Sequence, residues 1–426
     1  MRVLVFPSCN EPGLEIVHAL LKHPRVQVVG ASSVDPRTDP SASILAEHAT
    51  IPQLDNPHFE GAFDALCRDR SIDFIFASVD SVVATLAGRD LGDAILVGPS
   101  ADAAAICASK IATYARLEGV VPLPRPVDDD DPLPCFAKPD RGGGGRGAAR
   151  VDTPDELALA RSRGLVVREY LPGAEFTVDC CGGPDGALLV ASPRERVVVQ
   201  RGIAVGTRSV DRPDLHAAVE KIARTLMIGG PWFAQFKEDR DGVARLLEVN
   251  ARVGGSMTLT RLAGVNIPAL ALFAFAGFDV TVPPLRPDTI MTRHLLARGD
   301  LSDFSCVIWD LDDTLIRKDG KPDPEIVGRL LDLHNQGKRQ RLLTRNVAPS
   351  SAMRAAFIPH VFERVDTTQD KVAMLRAWVD ASEIAPSDTL MINDSFPENR
   401  ALMSAFPELR VITPEATSVL AVERLS

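Results

Sequence analysis

Short apolar runs alternating with helical patterns organise the first hundred residues of the chain. Val3–Phe6, Val26–Ala31, Phe74–Ala77 and Ile95–Val97 read as strands, and Leu14–Lys22 reads as an amphipathic helix after the first of them. Strands spaced by helical segments are the signature of βαβ units and a parallel sheet. The loop after the first run, Pro7-Ser-Cys-Asn-Glu-Pro-Gly13, stands where a dinucleotide fold carries Gly-x-Gly-x-x-Gly. That fingerprint is missing, so NAD binding is not expected.

At 426 residues the chain has room for about three globular units. Its net charge of -10 supplies no field that would draw nucleic acid or an anionic membrane, and neither is an expected partner. The one compact basic run, Lys338 to Arg341, reads as a solvated helix end. Seven cysteines, Cys9, Cys67, Cys107, Cys135, Cys180, Cys181 and Cys306, show no Cys-x-x-Cys and no metal-ligand spacing, which argues against a disulfide framework. The apolar start is too short for a signal peptide and the expected compartment is the cytoplasm. Ala263 to Val280 is interrupted by Asn266, Pro268 and Asp279, so a buried helix is expected there rather than a membrane span. Four consecutive aspartates, Asp128 to Asp131, lie in a Pro-rich connector and read as a solvated turn; a calcium loop would space its oxygens.

The first chemical pattern follows that connector. Lys138-Pro-Asp-Arg-Gly-Gly-Gly-Gly-Arg-Gly147 places a lysine at a strand end with a flexible glycine loop behind it. Without Cβ atoms such a loop lets backbone N–H groups approach phosphate oxygens closely. It lacks the Gly-Lys-Ser/Thr ending of a Walker loop. Further on, Phe233-Ala-Gln-Phe236 precedes Leu246-Leu-Glu-Val-Asn-Ala-Arg-Val-Gly-Gly-Ser256. Glu248 and Asn250 lie two apart on a strand and face one side, where they can share hard oxygen ligation of Mg²⁺ with nucleotide phosphates.

Over residues 1 to 295 these motifs resemble the ATP-grasp superfamily, in particular the branch near carbamoyl-phosphate synthetase and small-molecule carboxylate–amine ligases. The resemblance implies that Lys110 and Lys138 meet ATP phosphates and that Gly142, Gly143, Gly144, Gly145 and Gly147 close over the γ-phosphate. It implies that the backbone of Glu169, Tyr170 and Leu171 addresses adenine, and that Glu175 addresses the ribose. Gln235 joins Glu248 and Asn250 as a metal ligand, with Mn²⁺ as an alternative to Mg²⁺, and Arg252 sits over the reacting phosphoryl. Arg194, Arg201 and His294 are further candidates to contact a carboxylate or acyl phosphate. The Glu-Val-Asn-Ala-Arg run departs from the commoner Glu-Val-Asn-Pro-Arg, a loss of rigidity rather than of chemistry.

A second pattern opens at Cys306-Val-Ile-Trp-Asp-Leu-Asp-Asp-Thr-Leu315, where Asp310 and Asp312 end an apolar strand on one side. One can attack phosphorus while the other moves a proton. Thr344 follows a later strand, Lys371 stands in Gln-Asp-Lys, and Asp394 and Glu398 lie in Leu390 to Asn399. In this order the motifs resemble those of the haloacid dehalogenase phosphatases. The resemblance implies Asp310 as nucleophile, Asp312 as acid/base, Thr344 and Lys371 as phosphoryl holders, and Asp394 with Asp310 and the Asp312 carbonyl around Mg²⁺. Glu398 and Asn393 replace a common Asp and Gly. The spacing leaves no room for a cap domain.

The expected architecture is α/β throughout: a βαβ pre-ATP-grasp domain at 1–108, an α+β ATP-grasp domain at 109–298 and a capless, Rossmann-like phosphatase domain at 299–426. The expected function is bifunctional: ATP-dependent joining of a carboxylate to an amino acid-like amine, with ADP and phosphate as products, and removal of a phosphate from a substrate or product. The competing expectations are a structural or regulatory C-terminal domain, or an ATP-holding sensor without turnover. Dimers are common among such homologues.

Overall fold

The computed structural model describes residues 1–128, 130–200, 202–294 and 304–419. The chain divides into two compact units, Met1–His294 and Leu295–Arg424. The boundary expected after residue 108 therefore falls inside one unit, and the one expected after residue 298 lies outside the described residues.

The first unit begins with β1 (Arg2–Phe6), β2 (Gln27–Ser32), β3 (Glu47–Thr50), β4 (Phe74–Ala77) and β5 (Ile95–Leu96), all parallel in the order β3-β2-β1-β4-β5. Successive β1 side chains point to opposite faces. Val3 and Val5 pack with Ile16, Val17 and Leu20, whereas Leu4 and Phe6 pack with Phe59 and Phe63. Burial on both faces explains the unbroken apolar run that marked this strand in the sequence. Asn10 caps the helix Glu11–Leu20 by accepting from the Gly13 N–H. A Cβ on Gly13 would come within 2.4 Å of the Pro7 oxygen, so only glycine lets the helix start this close to the end of β1.

A small antiparallel sheet follows, β6 (Cys135–Lys138), β7 (Ala149–Val151) and β8 (Val166–Glu169), in the order β7-β6-β8. Then come β9 (Glu175–Gly182), β10 (Leu188–Gln200), β11 (Ile203–Ser209), β12 (Gly230–Glu238), β13 (Ala244–Asn250) and β14 (Ile290–Thr292), in the order β13-β12-β9-β10-β11-β14. One face of this sheet buries Phe176, Val178, Trp232, Ala234, Phe236 and Leu246 against Leu215, Val219 and Ile222 of the helix Pro213–Leu226. The alternate positions Glu175, Thr177, Gln235 and Lys237 are thereby set on the opposite face, and one extra residue in β13, Leu247, brings Glu248 and Asn250 onto that face across from Gln235 and Phe233.

The second unit is a parallel sheet of β15 (Cys306–Trp309), β16 (Arg339–Thr344), β17 (Arg364–Thr367), β18 (Thr389–Ile392) and β19 (Arg410–Ile412), in the order β17-β16-β15-β18-β19. The basic run read as a solvated helix end is instead the start of β16. Gln340 and Arg341 are only 2% and 5% exposed. Gln340 accepts from the Trp309 indole at 2.5 Å, and Arg341 lies 2.6 Å from Glu363 and 2.7 Å from Glu383. Charge alone points the wrong way here, because Arg339, Gln340 and Arg341 each find a partner from a distant segment. In the apolar stretch after Ala263, Asn266 and Pro268 open the helix Ile267–Phe275 as its cap and first turn. Among the described residues no helix is long and apolar enough to cross a membrane.

Arg194 and Asp179 form a buried ion pair at 2.8 and 3.1 Å, and the Thr260 hydroxyl donates to the same carboxylate. Asp179→Ala would leave the guanidinium buried and uncompensated. It should destabilise the first unit by about 3–5 kcal/mol, measured as lost amide-exchange protection in β9 and β10.

Candidate functional sites

A cavity of about 260 Å³ lies over the polar face of the six-stranded sheet. Lys110, Lys138, Gly142 to Gly145, Glu169, Tyr170, Leu171, Glu175, Gln235 and Glu248 all line it. Its geometry starts from a bulge in β13. Gln235 opposes Glu248 and Phe236 opposes Leu246, so Leu247 is an extra residue outside the ladder. Its freed carbonyl accepts from the Lys138 ammonium and from the Tyr114 hydroxyl, each at 2.8 Å. The Tyr114 ring lies between Lys138, 5.4 Å from its centroid, and Arg168 at 4.9 Å. Burial pushes the Lys138 ammonium down to about 8; Glu248 opposes that shift, and the cations Lys110 and Arg168 add to it.

Lys110 enters from the helix Lys110–Leu117, whose cap Ser109 also donates to the Asp140 carboxylate at 2.8 Å. Its ammonium donates to the Gly142 oxygen at 2.8 Å and lies 3.6 Å from Glu248. Gly142, Gly144, Gly145 and Gly147 have φ of 100°, 69°, 69° and 71°, a backbone that side chains resist. Gly147 is not part of the cavity wall; a Cβ there would press on the Pro139 ring at 3.1 Å. The Glu169 N–H is already donated to the Arg125 oxygen at 3.0 Å and its carboxylate accepts from the Arg125 N–H at 2.8 Å. Glu169 thus anchors the connector, and its backbone N–H is not presented to a base. Glu175 lies 2.9 Å from Arg196 and 3.9 Å from Lys237.

Gln235 and Glu248 face each other across the ladder and reach the cavity. Asn250 is 5% exposed and its Nδ2 has no hydrogen-bond partner, though the residue is not in the cavity wall. One carboxylate and two amides are too few for a self-contained cage, and among the described residues no three His, Cys, Asp or Glu side chains gather as one. They fit an ion such as Mg²⁺ that draws its remaining oxygens from bound phosphates. Arg252 departs from expectation. Its guanidinium pairs with Asp80 at 3.0 and 3.1 Å, over the Phe233 ring, and stays outside the cavity wall. Asp80 begins the helix Asp80–Leu86 of the preceding sheet, a partner invisible at sequence distance. Arg194 is spent on Asp179, His294 is exposed outside the wall, and Arg201 lies outside the described residues. Sequence reasoning missed Tyr114, Arg168, Arg196 and Lys237 in the wall. Lys237 was within reach, being two residues from Gln235 on the same face.

In the second unit Asp310, Thr344 and Asp394 stand at the C-terminal ends of β15, β16 and β18, the edge where parallel sheets gather functional groups. Lys371 opens the helix Lys371–Asp380, capped by Asp370. Its ammonium is 4% exposed and sits 2.9 Å from Asp310, 2.8 Å from Glu398 and 2.8 Å from the Asn393 oxygen. Burial pushes the Asp310 carboxyl up to about 6 despite Lys371, and the Asp394 charge adds to the rise. Asp312 is exposed and accepts from the Asn346 amide at 3.0 Å through both oxygens, while the Thr344 hydroxyl accepts from the Asn346 N–H. Between β15 and β16 the described residues hold only the helix Pro324–Asn335, and between Thr344 and Lys371 only the helix Pro349–Ala355 and β17. No cap is inserted at either place.

A family described as "ATP-grasp in the biosynthetic pathway with Ter operon" matches residues 161–295. A D-alanine–D-alanine ligase of Thermotoga petrophila is 33% identical over 94 residues, covering 19% of this chain and 31% of the relative. The chain thus matches under a third of that enzyme's length. Among solved structures, the biotin carboxylase domain of Hydrogenobacter thermophilus 2-oxoglutarate carboxylase, complexed with MgADP, ADP and bicarbonate, superposes with a TM-score of 0.56. It is 17% identical, over 68% of this chain and 73% of that one. The N5-carboxyaminoimidazole synthetase of Staphylococcus aureus, complexed with ADP, gives 0.54 at 15% identity, over 68% of this chain and 79% of that one. The family match ends at residue 295, ahead of the described residues of the second unit. Family match and fold agree with the cavity on one conclusion: the first unit has an ATP-grasp-like fold, its parallel sheet forming the part ahead of the grasp sheets.

Proposed function

We propose that the first unit binds Mg-ATP and joins a carboxylate to an amine, releasing ADP and phosphate, and that the second unit hydrolyses a phosphomonoester. The observation that carries the first part is the convergence of Lys110, Lys138 and the glycine loop with Gln235 and Glu248 on one cavity. Bound ATP supplies the phosphoryl group that activates the carboxylate. The chain's own contribution is positioning and electrostatics. Lys138, held on the Leu247 carbonyl, and Lys110, held on Gly142, face the phosphates, and the glycine N–H groups cradle them. Gln235, Glu248 and Asn250 hold Mg²⁺. Glu175 receives the ribose. Arg252 reaches the phosphoryl only by leaving Asp80. The complexes of the structural relatives with ADP support the nucleotide, and the similarity to a D-alanine–D-alanine ligase supports the ligation.

For the second unit, the proximity of Asp310, Lys371 and Asp394 supports a phosphatase of the haloacid dehalogenase type. Asp310 attacks phosphorus and Asp312 protonates the departing alkoxide. Asp312 then takes a proton from the water that attacks the aspartyl-phosphate, releasing phosphate and restoring Asp310. Thr344 and Lys371 hold the phosphoryl oxygens, and Asp394 with Asp310 and the Asp312 backbone carbonyl would hold Mg²⁺. The uncapped edge admits a bulky substrate such as a phosphorylated ligation product.

Lys138→Ala and Glu248→Ala should each lower ligation at least roughly a hundredfold, scored as ADP release with a panel of acids and amines. Near-wild-type turnover in both would mean the site is elsewhere, and pyrophosphate among the products would exclude γ-phosphoryl transfer. Lys138 carries its charge below about pH 8 and loses it above. Mg-ATP affinity should therefore fall as pH rises through about 8 in the wild type, and this fall should vanish in Lys138→Ala when titrated by calorimetry. Asp310→Asn should abolish phosphate release from phosphomonoesters while ligation survives, leaving a product heavier by one phosphoryl group, roughly 80 Da, in mass spectra. Identical final products from variant and wild type would refute the phosphatase assignment.

A further inference from the structure

Building on the assignment of the cavity to ATP, we propose that Arg196 is a positioning residue that ties Glu175 to the backbone seat of the glycine loop at Gly202. β10 runs past Glu175 with register shifts between Arg196 and Val198 and between Val198 and Val199. Such irregularities bend and twist a strand, and here the turn into β11 arrives at the wall of the cavity, where Val199 and Gly202 both contribute. Gly202 meets the glycine loop backbone to backbone. A Cβ at Gly202 would lie 2.7 Å from the Gly144 oxygen, 2.9 Å from its carbonyl carbon and 3.2 Å from the Gly145 nitrogen. A Cβ at Gly145 would in turn touch the Gly202 Cα at 3.7 Å. With φ of 79°, Gly202 is therefore required twice, for its conformation and for the approach.

Arg196 links this seat to the ribose side of the cavity. Its side chain is 7% exposed; Nη2 donates to the Gly202 oxygen at 2.7 Å, and Nε, which makes no hydrogen bond, forms an ion pair with Glu175 at 2.9 Å. A guanidinium is a rigid plane, so engaging both ends at once fixes the separation of carboxylate and turn; the single ammonium of a lysine cannot do so. Lys237, 3.9 Å from Glu175, still neutralises that carboxylate when Arg196 is removed. Loss of Arg196 therefore unseats the loop more than it unbalances charge. Nucleotide held on Glu175 thereby favours the seated loop, and the seated loop favours nucleotide.

Arg141 and Arg146 are exposed within the glycine loop, so trypsin reads its order directly. In the full-length wild type, saturating Mg-ATP should slow cleavage after these two residues. Arg196→Gln should weaken Mg-ATP binding about tenfold, the loss of a charged hydrogen bond, and leave both bonds cleaved at the nucleotide-free rate even at saturation. Arg196→Lys should not restore protection. Gly202→Ala, which keeps the Arg196–Glu175 pair, should lose protection in the same way and serves if Arg196→Gln folds poorly. Gly164→Ala, at a φ of 67° with nothing within 4 Å of the new Cβ, controls for backbone strain and should behave as wild type. Full protection of Arg196→Gln or of Gly202→Ala at saturating Mg-ATP would overturn the proposal. Wild-type protein that binds no Mg-ATP in equilibrium dialysis would instead overturn the ATP assignment, and the coupling with it.

Discussion

Side chains on an extended strand alternate between two faces, and in β9 and β12 that alternation, continued through one bulge in β13, separates an apolar set from a polar one. Phe176, Val178, Trp232, Ala234, Phe236 and Leu246 bury against the helix Pro213–Leu226. Glu175, Gln235, Lys237 and Glu248 are thereby forced onto the other face, where the cavity forms. A one-residue slip would turn the polar set into the core. In β13 the bulge at Leu247 supplies the one extra residue that turns Glu248 away from the face of Leu246, and it releases a carbonyl from the ladder. That carbonyl holds Lys138 and Tyr114 together, so a local irregularity of the sheet places the buried cation.

Electrostatics gives the cavity its sense. Lys110, Lys138, Arg168, Arg196 and Lys237 line it against the carboxylates Glu169, Glu175 and Glu248. Neutral carbonyls, Leu247 for Lys138 and Gly142 for Lys110, orient the lysines without cancelling their charge. Positive charge at low exposure is costly without an anion, which is why burial lowers the affinity of Lys138 for its proton. A polyphosphate with a divalent cation satisfies both signs at once. The second unit solves a related problem differently. Lys371 lies among Asp310, Glu398 and Asn393, and the two carboxylates outweigh one ammonium at the end of a parallel sheet.

What could be read in advance was what depends on neighbours in sequence. The apolar runs of β1, β4 and β15, the lysine before the glycine loop, and the shared face of Glu248 and Asn250 all rest on period-two alternation or on residue type. Arg252 and the run from Lys338 to Arg341 show the limit. The family resemblance puts Arg252 over the phosphoryl and charge makes the basic run a solvated helix end, yet each is held by a carboxylate remote in sequence: Asp80 in one case, Glu363 and Glu383 in the other.

The sequence by itself determined the alternation of strands and helices over the first hundred residues, the chemistry available at strand ends such as Lys138 and Asp310, and a spacing between the acidic motifs too short for an inserted domain. Only the tertiary structure decided which of those groups share a cavity. It brought Tyr114, Arg168 and Arg196 beside Lys138 and Glu175, drew Arg252 and Arg194 away onto Asp80 and Asp179, and seated Gly202 on Gly144. The physical reason is range. Alternation and propensity act over a few residues, whereas an ion pair or a backbone contact is set by the packing of segments that the chain order leaves far apart.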